Sequence, residues 1–466
     1  MAFMVILNGQ QVVSFEKSCG VAIDELICRA GKAISDVIFK LFPKQPVAII
    51  SGPGNNGKDG IVTAKILKAH GWPVVLMLYN CTTDIDEDWV VPLTYDNVVN
   101  CQSCLVIDAL FGIGLSRNIP ENLSCIFHYI NDSNNKVVVA VDIPSGINCD
   151  TGQVMGCAIR ADVTVTFSVL KIGHVLFPGC DYSGKVHVVD IGIDIDDSKV
   201  VIRKNAPALW KHKMPKLEYT SNKYNRGYTL VCSVGNKSIG ASKLVAMSAL
   251  RVGSGIVSIA CDSNAVAFYA SCLTSIMYKL YDDVINDDRI TSIVIGPGCG
   301  INDITKQRTM DILNKQNCVL DADSISVFSD SYEVLFSKIQ HNVVMTPHEG
   351  EFKRIFPFLT GGKIEMAREA ASLSKAVIVL KGPDTVIADP IGNVVVNNAP
   401  FSLATAGSGD VLSGIIGGLL SSGMSPFDAA CCGVWIHTEC ARKYGIGLIA
   451  DDIILEIPQV LKKLFC

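Results

Sequence analysis

Short runs of β-branched and aliphatic residues alternate with helical patterns along the whole chain, and several of these runs end in a cluster of Gly, Pro, Asn or Asp. Such alternation folds as α/β layers around mostly parallel sheets, because two parallel strands need a crossover and a helix supplies it. In the first half the runs lie at 47–50, 74–78, 105–107, 137–141, 163–167 and 186–189. Between the first two, residues 60–70 read as a helix stopped by Gly71, with Pro73 just beyond. The pattern breaks over 194–226, a polar stretch holding Pro207 and Pro215, and resumes with runs at 228–233, 256–260, 293–295, 318–320, 343–345 and 377–380. The spacing predicts two α/β domains, 1–210 and 211–466, divided near residue 210. No fixed-period repeat or low-complexity tract is present, which argues against solenoids and propellers.

The length of 466 residues suits two domains. Only 18% of residues are charged and 49% are hydrophobic, so disorder is excluded as the general state. A net charge of -5 gives no general attraction to nucleic acid or to an anionic membrane. Every apolar run is cut by Gly, Pro or charge before the roughly 20 residues of a spanning helix. Residues 1–7 lack a basic flank and a small-residue cleavage pattern, so a cytoplasmic protein is expected. In that setting the 18 cysteines read as free, buried thiols. The isolated pair Cys101 and Cys104, and the cluster Cys431, Cys432, His437 and Cys440, read as core packing in preference to zinc ligands.

The first chemistry-bearing motif is Ser51-Gly-Pro-Gly-Asn55-Asn56-Gly57-Lys58-Asp59-Gly60, between a strand and a helix, where amides and the helix dipole favour an anion. Gly52, Gly57 and Lys58 match P-loop spacing, but Asp59 stands where a magnesium-binding hydroxyl belongs and would repel triphosphate. Two further carboxylates follow strands: Asp108, in Asp-Ala-Leu-Phe-Gly112-Ile113-Gly114, and Asp142, in Asp-Ile-Pro-Ser145-Gly. Open α/β sheets bind ligands at the carboxyl ends of strands, so these segments are expected to share one crevice.

Together with Lys171-Ile-Gly and Pro178-Gly179, the three segments resemble the NAD(P)H-hydrate epimerase domain over residues 10–200. That resemblance implies a Rossmann-like fold that interconverts the R and S forms of hydrated NADH or NADPH. It implies a hydrate site lined by Asn55, Asn56, Gly57, Lys58 and Asp59 and by Gly112, Ile113, Gly114, Leu115, Ser116, Arg117 and Asn118. It further implies a potassium ion on Asn56, Asp108 and Ser145, with Asp142 as the acid/base at C6 of the damaged ring. Inverting a carbinolamine carbon does require proton transfer to and from its hydroxyl. The chain departs from the family in having Lys58 for a glycine and in lacking Met-Glu before Ala30-Gly31.

In the second half, Ala406-Gly407-Ser408-Gly409-Asp410 opens a small-residue helix, a turn able to hold a transferring phosphoryl group with Asp410 as base. The segments Gly296-Pro-Gly298, Asp321-Ala-Asp323, Pro347-His348-Glu-Gly-Glu351 and Lys381-Gly382-Pro383-Asp384-Thr385 each follow a run and are expected on the same sheet edge. Asp321, Asp323 and Glu351 are candidate carboxylates on the magnesium side. This set is similar to the ribokinase-like superfamily, in its ADP-dependent NAD(P)H-hydrate dehydratase branch, over 215–465, with Asn222-Lys223 and Gly240-Ala241 favouring that branch. The resemblance implies that Ala241, Gly298, His348 and Asp410 contact the hydrate. It assigns ADP to Lys381, Gly382, Pro383, Asp384, Thr385 and Gly409, with Mg2+ on the nucleotide. Ala406 and Ser408 replace the usual Gly and Thr.

The combined expectation is two three-layer α/β/α domains, Rossmann-like then ribokinase-like, in a homo-oligomer that repairs nicotinamide nucleotide hydrates. An ATP-dependent small-alcohol kinase carrying a non-catalytic nucleotide-binding module is the alternative.

Overall fold

A computed structural model describes residues 5–81, 87–101, 104–133, 135–196, 200–216, 219–313, 315–340 and 342–465. Residues 1–4 of the opening segment, and 197–199 and 217–218 of the polar stretch, lie outside the described residues. Among the described residues no helix is long and apolar enough to cross a membrane.

The chain divides into two compact units at Val200/Val201, earlier than the boundary read near residue 210. The reason lies in packing. Ile202–Lys204 forms a parallel strand against Val394–Asn398. Trp210 is fully buried, its indole N–H donating to Asn205 Oδ1 at 3.1 Å, and Asn205 donates to the carbonyl of Cys431 at 2.8 Å. Polar composition made this stretch look like a linker, although its few apolar side chains belong to the C-terminal core.

The N-terminal unit contains seven parallel strands in the spatial order Val90–Pro92, Val74–Leu78, Val47–Ser51, Leu105–Ala109, Val137–Val141, Val163–Phe167 and Lys185–Val189. Period-two alternation builds a core on each face: Val47 and Ile49 pack with Ile34, Ile38 and Leu67, whereas Ala48 and Ile50 pack with Ile126 and Phe127. Strand order reverses beside Val47–Ser51, since the chain first runs outward on one side and then crosses to Leu105–Ala109 on the other. Loops after these two strands therefore flank the switch point, where α/β sheets open a ligand crevice. The helix begins at Asn55, not at residue 60. A Cβ on Gly57 would overlap the carbonyl of Gly52, and one on Gly52 that of Leu110, so close backbone approach requires glycine at both positions.

In the C-terminal unit seven parallel strands run in the order Met277–Leu280, Ile256–Cys261, Tyr228–Cys232, Ser292–Ile295, Asn317–Leu320, Val343–Met345 and Val377–Leu380. Asp384–Ala388 and Val394–Asn398 extend the sheet as antiparallel strands. This hairpin was not among the runs read from the sequence, and it places Asp384 and Thr385 inside a strand. Helix Ser408–Ser421 lies along helix Ile239–Val252 at very short range: a Cβ on Gly414 would overlap Ser248 and the Val245 carbonyl. Its glycines are there to let two helices approach.

Candidate active sites

In the N-terminal unit Asn55, Asn56, Asp59, Gly112, Ile113, Gly114, Leu115, Ser116, Arg117 and Asp142 line one cavity of about 470 Å3. Gly57 lies beneath it against Gly52, while Lys58 and Asn118 are exposed and take no part in its wall. Val13 and Glu16 from helix Gly9–Ser18, with Ile23, Leu26, Ile27 and Ala30 from helix Ile23–Leu41, complete the cavity.

Asp142 follows strand Val137–Val141 at φ 64°, a left-handed backbone that non-glycine residues adopt only when their surroundings impose it. The surroundings are visible. Lys171, almost fully buried, donates from Nζ to Asp142 Oδ1 at 2.5 Å and to Thr166 Oγ1 at 2.8 Å, and Thr166 Oγ1 donates to the same carboxylate oxygen at 2.9 Å. His174 accepts the Lys171 amide N–H on Nδ1 at 3.0 Å, which leaves its Nε2–H to donate to the Asp142 carbonyl at 2.8 Å. Burial, the largest single influence, would raise the Asp142 pKa, but the Lys171 ammonium together with His174 and the Thr166 hydroxyl outweighs it and holds the carboxyl below its ordinary value. Asp59 goes the other way: burial, then the charges of Asp142 and Glu16, push it well up. One cavity thus holds two carboxyl groups whose surroundings push their pKa values in opposite directions.

Beside this wall, buried Asp108 accepts the hydroxyl and the amide of Ser145 at 2.6 and 2.8 Å. Burial pushes its pKa up to about 6 against those hydrogen bonds. Both polar atoms of the buried Asn56 amide lack a partner, and Asn56 packs against Gly112.

In the C-terminal unit Asp410 occupies the first turn of helix Ser408–Ser421, behind Gly407 at φ 82°. Its pKa is pushed up to about 6 by burial and by Asp321, with Lys381 opposing. Buried Asp321 is gripped from two sides, by Lys381 Nζ at 2.8 Å and by the Ser413 hydroxyl at 2.5 Å. The same ammonium lies about 3.5 Å from where a Cβ on Gly409 would stand, so it borders the turn. His437, buried, has Nε2 2.9 Å from the Ser408 carbonyl, and burial lowers its pKa to about 4, so the neutral ring donates to the turn. Cys431, Cys432 and Cys440 are buried free thiols, as core packing predicted, whereas Cys101 is half-buried and Cys104 exposed, so core packing does not describe that pair.

Gly298, at φ 68°, stands against Ser238 and Ala241, which brings two expected hydrate contacts together. His348 caps helix Glu349–Ile355, its Nδ1 accepting the Gly350 amide at 2.9 Å, while its ring stays exposed and its backbone bridges to Lys381. Thr385 braces the Gly382 carbonyl at 2.9 Å, and Lys363 pairs with Asp384. The three candidate magnesium carboxylates do not converge: Asp321 holds Lys381, Asp323 accepts the Gly300 amide at 2.7 Å, and Glu351 accepts the His348 amide at 2.9 Å. Sequence reading missed Glu16, Ser413 and Lys363 and gave Lys171 no role. Only Lys171 carried a signal, its Lys-Ile-Gly setting.

Residues 23–173 match the family described as YjeF-related protein N-terminus, and residues 231–459 match the family described as NAD(P)H-hydrate dehydratase. A Dictyoglomus turgidum protein named bifunctional NAD(P)H-hydrate repair enzyme is 33% identical over 91% of this chain and 90% of its own length. An Escherichia coli protein of the same name is 30% identical, over 95% and 90%. Among solved structures, a ribokinase-like superfamily protein from Enterococcus faecalis is similar in fold, with a TM-score of 0.51 at 22% identity, covering 56% of this chain and 96% of its own.

Proposed function

We infer that this chain, which belongs to the family of bifunctional NAD(P)H-hydrate repair enzymes, restores hydrated NADH and NADPH in two steps, one in each unit. The N-terminal unit interconverts the R and S hydrates at C6 of the ring. The C-terminal unit dehydrates the S hydrate with ADP, giving NAD(P)H, AMP and phosphate. What carries this reading is that each unit holds one carboxylate tuned for proton chemistry: Asp142 kept ionised by Lys171, and Asp410 poised near neutrality. A small-alcohol kinase would leave the N-terminal cavity without a task.

In the C-terminal unit Asp410 takes the proton of the ring hydroxyl as its oxygen attacks the β-phosphorus of ADP and AMP departs. The amides of Gly407, Ser408 and Gly409 and the Lys381 ammonium hold the charge of the moving phosphoryl group. The C6–O bond then breaks, the ring nitrogen lone pair expels phosphate, and loss of the C5 proton restores the dihydropyridine. Magnesium would neutralise the ADP oxygens. With Asp321, Asp323 and Glu351 each engaged, the site suits an ion that arrives on the nucleotide with its own water better than one caged by protein carboxylates. If Asp410 must be ionised to act, dehydration falls about tenfold per pH unit below about 6. Measuring kcat/KM for NADH recovery between pH 5 and pH 8 tests this, and a flat profile contradicts it.

Asn56, Asp108 and Ser145 fit a monovalent cation. A buried carboxylate pushed toward neutrality and a buried amide with no partner are each relieved by an ion that takes oxygen ligands. Potassium there would supply fixed positive charge near the reacting ring. Ser145→Ala is expected to raise the potassium concentration needed for half-maximal epimerisation by about 10- to 100-fold. Titrating potassium at constant ionic strength reads this out, and an unchanged midpoint contradicts it.

A further inference from the structure

Inverting a carbinolamine places a demand that one acid/base cannot meet. The C6 hydroxyl leaves from one face of the ring and returns on the other. Departure needs a proton delivered on the first face, and return needs a proton removed on the second. Asp142 is fixed at a single point by Lys171, Thr166 and the imposed φ of its own backbone, so it commands one face.

Two other carboxyl groups line the same cavity. Asp59 is 7% exposed, and burial, then the charges of Asp142 and Glu16, raise its pKa well above the ordinary carboxyl value, which makes it the poorer acceptor of a proton. Glu16 differs in its position and its exposure. It stands on helix Gly9–Ser18, which belongs neither to the sheet nor to the loops that carry Asp142, and it is half-buried, within reach of solvent. Among the described residues its carboxylate has no hydrogen-bond or ion-pair partner, while Asp142 and Lys171 both act on it electrostatically. Burial and the charge of Asp142 raise its pKa toward the working range of a proton-transfer group.

We propose that Glu16 is the second catalytic residue of the epimerisation centre, handling the proton on the ring face that Asp142 does not serve. The proposal rests on the epimerase reading of this unit. One carboxyl gives its proton to the C6 oxygen, the C–O bond breaks and water leaves, and the N1 lone pair forms a planar iminium whose charge the remaining carboxylate offsets. A second water adds to the opposite face, a new C–O bond forms, and the other carboxylate takes the released proton. No electrons are exchanged, one water leaves and one enters, and solvent returns the proton. The reverse direction exchanges the two roles.

The test follows the conversion of R-enriched NADH hydrate in 18O-labelled water by chromatography and mass spectrometry, with potassium present and ADP absent. Wild type is expected to place one solvent oxygen at C6 per inversion. Glu16→Gln is expected to slow inversion by about a hundredfold or more. Formate is expected to restore a substantial part of the rate to Glu16→Ala, which only a folded chain with an open cavity permits. Wild type that does not interconvert the hydrates overturns the epimerase reading and this proposal with it. Interconverting wild type with Glu16→Gln within threefold of it, or inversion that retains the original oxygen, or loss that formate does not rescue, overturns the role of Glu16 and leaves the epimerase reading standing.

Discussion

Asp410→Asn is expected to abolish ADP-dependent recovery of NADH while making the C-terminal unit more stable. Both halves follow from one property. The carboxyl is raised from 3.8 to about 6 in the folded chain, by burial first, then by Asp321 and, more weakly, Asp323, against the pull of Lys381. A carboxyl whose folded pKa lies above its unfolded value destabilises the fold wherever it is ionised in both states. Stability is therefore regained as pH falls through about 6 toward the unfolded value near 4. Asn has the same shape and no charge, so the variant escapes that penalty at neutral pH. It also has no means of taking the proton of the ring hydroxyl, which costs about 100- to 10,000-fold in rate. Thermal unfolding at pH 7.5 and at pH 5 separates this from a packing effect, since the gain over wild type shrinks at the lower pH. Activity within tenfold of wild type, or a variant that melts earlier at pH 7.5, contradicts the role given to Asp410. Epimerisation by the same chain serves as the control.

What local sequence reports and what it conceals divide along chain separation. Strand runs, the glycines after them and the carboxylates of Asp108, Asp142 and Asp410 are local features, and each marks a strand end or helix start that the structure contains. The groups that tune those carboxylates are distant. Lys381 grips Asp321 across 60 positions and Ser413 across 92, and no periodicity links such residues. Glu16 sits in a short helix whose sequence reads as an ordinary amphipathic surface. The helix start at Asn55 was read too late because Gly57 and Gly60 have poor helix propensity, and the tertiary approach to Gly52 overrides it. The hairpin after residue 383 was absorbed into a nucleotide loop, since Lys-Gly-Pro-Asp-Thr reads as a turn even though its last two residues begin a strand.

Lys171→Met is expected to cost the N-terminal unit about 3–5 kcal/mol at neutral pH and to remove its epimerisation. Lys171 and Asp142 are both buried, and the ammonium is the principal counter-charge of the carboxylate. With Lys171 present the folded pKa of Asp142 is depressed. The pair then contributes stability above the unfolded pKa, and that contribution is lost as pH falls through the folded value. Without Lys171, burial is opposed only by His174 and the Thr166 hydrogen bond, and the sign is expected to reverse: the variant binds a proton more readily folded than unfolded and recovers relative to wild type as pH falls. Urea unfolding of the N-terminal transition at pH 7.5 and at pH 5 distinguishes the two slopes. The double variant Lys171→Met with Asp142→Asn removes both charges and is expected to regain most of the lost stability at pH 7.5, because the cost lies in the unpaired carboxylate and not in the missing methylenes or hydrogen bonds. It regains no epimerisation, since no charged group remains at that point of the cavity. A double variant as unstable as Lys171→Met alone shows that the lysine matters for packing, and Asp142 then loses the electrostatic basis for its place at C6.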